Sequence, residues 1–112
     1  MLYRLYAATL GRLIDIHIRN HLLFKKVILG DPQRVSVHES AQVNNALFYV
    51  LSGRIEVREH AFFGQNVCLL TGAHDIGAPL DTRKAEFPTE GRDITIEAGA
   101  WIASNATVLG PC

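Results

Sequence analysis

Apolar residues recur at every sixth position through most of this chain, and that period excludes the two commonest ways of building a core. Stepping by six from Val37 reaches Val43, Tyr49 and Ile55; from Val57 it reaches Phe63 and Leu69; from Ile96 it reaches Ile102 and Val108. Four residues after nearly all of these stand Ala41, Leu47, Gly53, Ala61, Val67, Ala73, Ala100, Ala106 and Cys112, small apart from Leu47. A helix repeats at 3.6 residues and an isolated strand at 2. A beat of six is what short strands produce when they turn a corner every six residues and coil on themselves. The beat predicts an all-β solenoid, a parallel β-helix.

The beat covers only part of the chain. Over Leu2 to about Asn20, Leu2, Leu5, Tyr6, Leu10, Leu13 and Ile14 recur near helical spacing with Arg4, Arg12 and Arg19 between them, which predicts an amphipathic helix weakened at Gly11. A helix or an extended arm follows through Leu29, and Gly30-Asp31-Pro32 ends it. The expected division is a helical arm over residues 1–34 and a β-helix domain over 35–112. From about 75 to 93 the beat lapses among Gly77, Pro79, Pro88 and Gly91, then resumes at Ile94 and Ile96, so this stretch reads as a loop extruded from one corner.

Three six-residue sides per coil give roughly three coils, about the smallest stack that buries a continuous core. Val108-Leu109-Gly110-Pro111-Cys112 lacks the polar character of a solenoid cap. Further C-terminal coils are therefore expected in a complete relative.

Charge and cysteine content narrow the function. Eleven basic and eleven acidic side chains leave no net charge, which argues against nucleic acid as a partner. The basic excess is confined to the N-terminal segment, where Arg4, Arg12, Arg19, Lys25 and Lys26 face only Asp15. Cys68 and Cys112 form neither a disulfide framework nor a metal-ligand pattern, so a reducing, cytoplasmic setting is expected. No secretory signal or membrane-spanning run is visible.

Three stretches together resemble the bacterial hexapeptide-repeat acyltransferases, specifically the saccharide O-acetyltransferase branch with its galactoside, maltose and colanic-acid type enzymes. They are Phe63-Gly64-Gln65-Asn66-Val67 leading into Leu70-Thr71-Gly72-Ala73-His74-Asp75, the loop with Pro79 and Phe87-Pro88, and Ile94 through Leu109 with its Ala100-Trp101-Ile102. The resemblance covers about Val35 to Cys112. It implies a left-handed parallel β-helix, a homotrimer with each active site between two neighbours, and acetyl-CoA as co-substrate with no metal required. The acceptor would be a hydroxyl of a saccharide, small or lipid-linked.

The resemblance also carries roles onto single positions. His74 matches the base that takes a proton from the acceptor hydroxyl, and imidazole is the side chain suited to that task near neutral pH. Asp75 beside it and Asn44 match acceptor contacts, although Asn45 leaves the register of Asn44 open and a corner-turn role is the simpler reading for it. Trp101 matches a wall of the acceptor and cofactor groove, and a surface aromatic packed between subunits is an equal reading. The Ser104 N–H matches a donor facing the thioester carbonyl; Ala103 stands where the family has glycine. Two alternatives are an N-acetyltransferase acting on an amino sugar and a non-catalytic trimeric scaffold.

The other histidines read as ordinary. His17 and His21 lie four apart on the predicted helix without the Glu of a zinc-protease motif. His38, His60 and His74 lack the spacing of the zinc-binding γ-class carbonic anhydrases, which share the implied fold. The basic helix is expected to cover the first coil; contact with anionic lipid is the less favoured role.

Overall fold

A computed structural model describes residues 1–112. The predicted helix forms as α1 (Leu2–Leu23) and runs unbroken through Gly11. It stops at Phe24, whose backbone is no longer helical, and no residue of α1 is buried. The expected packing of this helix over the first layer of strands is therefore not realised within the protomer. Its last turn touches the rest of the protein where the Asn45 side-chain amide donates to the Leu22 carbonyl at 2.8 Å.

Nine short strands follow: β1 (Val27–Leu29), β2 (Val35–Val37), β3 (Leu47–Tyr49), β4 (Ile55–Val57), β5 (Phe62–Phe63), β6 (Cys68–Leu70), β7 (Ile94–Ile96), β8 (Trp101–Ile102) and β9 (Thr107–Leu109). They form three parallel sheets in the orders β1-β3-β6-β9, β2-β4-β7 and β5-β8, with no closed barrel. An isolated parallel bridge, Gln42 with Phe62, extends the third sheet by one layer. Successive strands belong to different sheets, and the chain returns to each sheet one layer further on. No antiparallel hairpin is used, so every pairing joins residues distant in sequence.

Side chains in equivalent positions form columns across the layers. Ile28, Phe48, Leu69 and Val108 are aligned in the first sheet, Val37, Val57 and Ile96 in the second, Phe63 and Ile102 in the third. All of them belong to, or pack against, one hydrophobic core. Phe48, Val57 and Leu69 are essentially inaccessible, and each such side chain contributes roughly 1.5–3 kcal/mol through removal from water.

The columns correct the six-residue beat at two places. Phe48 rather than Tyr49 points inward, and Ala46 rather than Leu47 fills the preceding turn. The turn from Val43 to Ala46 is one residue shorter than its equivalents from Phe63 to Val67 and from Ile102 to Ala106. Strand β3 is thereby drawn forward by one position; the corner from the first sheet to the second is then longer than the beat, as it also is from Ile28 to Val37, so that Val57, not Ile55, continues the column of Val37. The stepping is regular from Val57 through Leu69 and from Ile96 through Val108.

The boundaries of the arm also change. The helix expected within residues 1–34 ends at Leu23, and Val27–Leu29 is already a strand paired with β3. The sheets thus begin before Val35. No strand lies between Leu70 and Ile94, and β7 pairs directly with β4, so the intervening loop leaves the pairing intact.

Turns between the third and first sheets place asparagines in the left-handed region: Asn44 at φ 49°, Asn66 at 58° and Asn105 at 64°. Asparagine tolerates this conformation better than most residues because its short carboxamide bonds locally. Here it also bonds between layers. Asn45 Nδ2 donates to Asn66 Oδ1 at 2.8 Å, and Asn66 Nδ2 donates to Asn105 Oδ1 at 3.4 Å.

Candidate active site

The loop root that carries His74 is held on two sides. Thr71, buried at the end of β6, donates through both its backbone N–H and its Oγ1 to the Tyr49 carbonyl at 2.9 Å. Its Oγ1 also accepts the Ser52 N–H at 3.1 Å, and its carbonyl accepts Arg92 Nε at 2.8 Å. Arg92 belongs to the returning end of the loop, and its own N–H donates to the Ser52 carbonyl. Exit and return of the loop are therefore tied to one another through Ser52 and Thr71.

Beyond this root the loop is shaped by its own bonds. Asp75 Oδ1 accepts the Gly77 N–H at 2.9 Å, and the Asp75 N–H donates to the Glu86 carbonyl. Arg83 donates through Nε and Nη2 to the Ala78 carbonyl, and Arg34 Nη1 reaches across to the Thr89 carbonyl at 2.8 Å. The loop is thus fastened near both ends, and the strands beneath it supply the fixed base.

His74 stands exposed at the start of this loop. It lines an open cavity of about 700 Å³ together with Asp75, Glu86, Phe87 and Arg92. It also lines a smaller cavity of about 240 Å³, walled by Tyr49, Gly72, Lys84 and Phe87. The imidazole thus borders two openings, with aromatic rings and groups of both charges among the residues that line them. Nothing in the sequence pattern marks Tyr49 or Lys84 as site residues, whereas Phe87 lies in the loop that carries part of the resemblance. Tyr49 joins the site only because the shortened turn moves it out of the core.

The remaining expected site residues lie elsewhere. Trp101 is on β8 in the third sheet, 69% exposed, stacked on Phe62 with centroids 6.2 Å apart and planes 7° from parallel. Ser104 follows in the turn toward the first sheet, and its Oγ accepts the Gln65 N–H at 2.9 Å. Its own N–H has no acceptor within the protomer, whereas the next N–H, of Asn105, donates to the Gln65 carbonyl. A methyl group on Gly64 would come within 2.5 Å of the Ser104 nitrogen, so glycine is what lets these layers approach.

Asn44 lies in the equivalent turn of an earlier layer. Its Nδ2 donates to the Phe63 carbonyl at 2.7 Å and its Oδ1 accepts from Gln42 at 3.2 Å. The carboxamide is therefore engaged in shaping the turn. Within one protomer, His74 and Asp75 lie between the first and second sheets, while Trp101, Ser104 and Asn44 lie on the third sheet and the turns that leave it. The chain alone does not bring the two groups together.

The other histidines are placed apart from this site. His38 Nδ1 and Ser40 Oγ are bonded at 2.8 Å, and the same hydroxyl accepts the His60 N–H at 3.0 Å, all within turns between the second and third sheets. His17 and His21 are adjacent on α1 with ring centroids 4.1 Å apart. No group of three or more His, Cys, Asp or Glu side chains is clustered as a metal site would require. Comparison with protein-family models, curated proteins and solved structures returns no match.

Proposed function

We propose that this protein is an acetyltransferase that moves the acetyl group of acetyl-CoA to a hydroxyl of a saccharide, with His74 as general base. The observation that carries the reading is the placement of His74, an exposed imidazole at the root of an extruded loop, opening on cavities where an acceptor can reach it. The three parallel sheets are read as the faces of a left-handed parallel β-helix. Copies of the chain associate as threefold trimers, and the neighbour supplies the Trp101 wall and the Ser104 N–H opposite His74. The setting is cytoplasmic.

The chemistry follows from these groups. The neutral imidazole accepts the proton of the acceptor hydroxyl as its oxygen attacks the thioester carbonyl carbon. Negative charge that develops on the carbonyl oxygen is held by a backbone donor, and the unengaged N–H of Ser104 is suited to that task. The C–S bond then breaks, and the imidazolium returns its proton to the departing thiolate. The products are a saccharide O-acetyl ester and free CoA.

The test is thiol release from acetyl-CoA in the presence of a panel of sugars, with light scattering to give the assembly state. His74→Ala is expected to remain folded and assembled while kcat/KM falls by roughly 10²–10⁴, the usual worth of a positioned base. Undiminished transfer by that variant removes His74 from the mechanism. Treating the product with hydroxylamine separates an ester from the amide that an N-acetyltransferase would form. A trimer that releases no thiol with any acceptor supports the scaffold reading instead.

A further inference from the structure

We infer that α1 is a peripheral membrane anchor that lies along an anionic bilayer surface. The helix has no buried residue, and it leaves large apolar side chains such as Leu2, Leu5, Tyr6, Leu13 and Ile14 at least half exposed. An amphipathic helix in water is stabilised mainly by burying its apolar side, and this protomer provides no surface that does so. The covering surface must come from outside the chain.

The charge pattern identifies it. At 3.6 residues per turn, Arg4, Arg12, Asp15 and Arg19 all fall within about a quarter of the helix circumference. The rest of the circumference is mainly apolar. Lys25 and Lys26 follow directly, so the segment up to the first strand carries five basic side chains against one acidic one. A coiled-coil partner covers a narrow seam and would leave much of so broad an apolar arc in water. A bilayer interface takes in the whole arc at once and presents phosphates to the arginines and lysines at its edge. The helix is not long and apolar enough to cross a membrane, so it lies on the surface rather than spanning it.

The orientation of the fold agrees with this use. Only the last turn of α1 is bonded to the strands, through the Asn45 amide and the Leu22 carbonyl. The protomer is drawn out to 65 Å along its longest axis, and the helix is free to lie on a surface while the sheets stand clear of it. A membrane-bound position places the cavities around His74 within the same protein that touches lipid, a role independent of what His74 does.

The experiment is co-sedimentation of the full chain with vesicles of phosphatidylcholine alone or mixed with phosphatidylglycerol. Binding is expected to the mixed vesicles and not to the neutral ones, and to weaken as salt is raised. The Arg4→Glu, Arg12→Glu, Arg19→Glu triple variant is expected to bind more than about a hundredfold less tightly, since each basic residue near an anionic surface is worth several-fold. Leu13→Asp with Ile14→Asp, which removes apolar contact and adds negative charge, is expected to abolish binding with strand content unchanged by circular dichroism. No sedimentation with anionic vesicles, or equal binding to both kinds, overturns the inference. So does a helix whose variants change only the molecular mass in solution, which is the signature of self-association.

Discussion

Asn45 and Asn66 exchange two hydrogen bonds between adjacent layers: Asn45 Nδ2 donates to Asn66 Oδ1, and the Asn66 backbone N–H donates to Asn45 Oδ1, both at 2.8 Å. Asn66 also holds φ at 58°. Asn66→Ala loses the side-chain bonds to Asn45 and Asn105 and leaves in the left-handed region a residue without the carboxamide that tolerates it, so a loss of about 1–3 kcal/mol in urea unfolding is expected. Asn66→Gly loses the same bonds but adopts the left-handed backbone freely, and is expected to cost less than Asn66→Ala. The reverse order would show that the left-handed backbone is not what asparagine is needed for at this turn.

Two glycines are required for different reasons from a third, and alanine substitution separates them. At Gly64 a methyl would meet the Ser104 backbone, and at Gly53 it would come 2.5 Å from the Arg92 carbonyl carbon, where the loop returns. Backbone cannot move aside as a side-chain tip can, so Gly53→Ala and Gly64→Ala are each expected to cost about 1–3 kcal/mol or more. Gly99 faces open space but sits at φ 68°, and Gly99→Ala is expected to cost only about 1–2 kcal/mol. Thermal melting of the three variants checks the ranking.

The corrected register of β3 yields a paired test. Phe48 is fully buried in line with Leu69, whereas its neighbour Tyr49 is only half-buried and lies against Gly72 beside the His74 cavity. Phe48→Ala is expected to cost about 3–5 kcal/mol, the range for an aromatic ring removed from a core. Tyr49→Ala is expected to cost clearly less and to affect transfer more than folding. Had the six-residue stepping held through this turn, the order of the two would be reversed.

How far the architecture is legible in the sequence follows from these same positions. The beat from Val57 and from Ile96 locates inward-facing residues because each turn there has the same length, and identical spacing then means identical orientation. It misleads between Val43 and Phe48 because one residue is missing from a turn, and again between Phe48 and Val57 because the corner there is longer than the beat; no composition signal marks changes of that size. The strand at Val27–Leu29 is hidden for a related reason: its column partner is Phe48, which the beat does not mark as inward-facing. The exposed state of α1 is equally out of reach, since an amphipathic pattern states that a face needs covering and not what covers it. Of the expected site residues, His74 and Asp75 share a cavity because they are neighbours in sequence. The distance of Trp101 and Ser104 from them depends on the order in which the chain visits the sheets, which is a property of the topology.

Trp101 offers the most direct test of whether the two groups are joined by a neighbouring protomer. Its ring is 69% exposed and its stacking on Phe62 is a surface contact, so its removal leaves the core untouched. Trp101→Ala is therefore expected to change the unfolding free energy of the isolated protomer by no more than about 0.5–1.5 kcal/mol, the worth of an aromatic pair. If Trp101 walls the groove opposite a neighbour's His74, the same substitution is expected to raise KM for acetyl-CoA or acceptor several-fold, or to dissociate the trimer. Mixing this variant with His74→Ala decides between a site within one chain and a site between two. Each variant is deficient alone, and a shared site regains activity in mixed trimers, where some interfaces combine an intact histidine with an intact tryptophan. Activity that stays at the level of the separate variants places both residues in the site of one chain, or places Trp101 outside it.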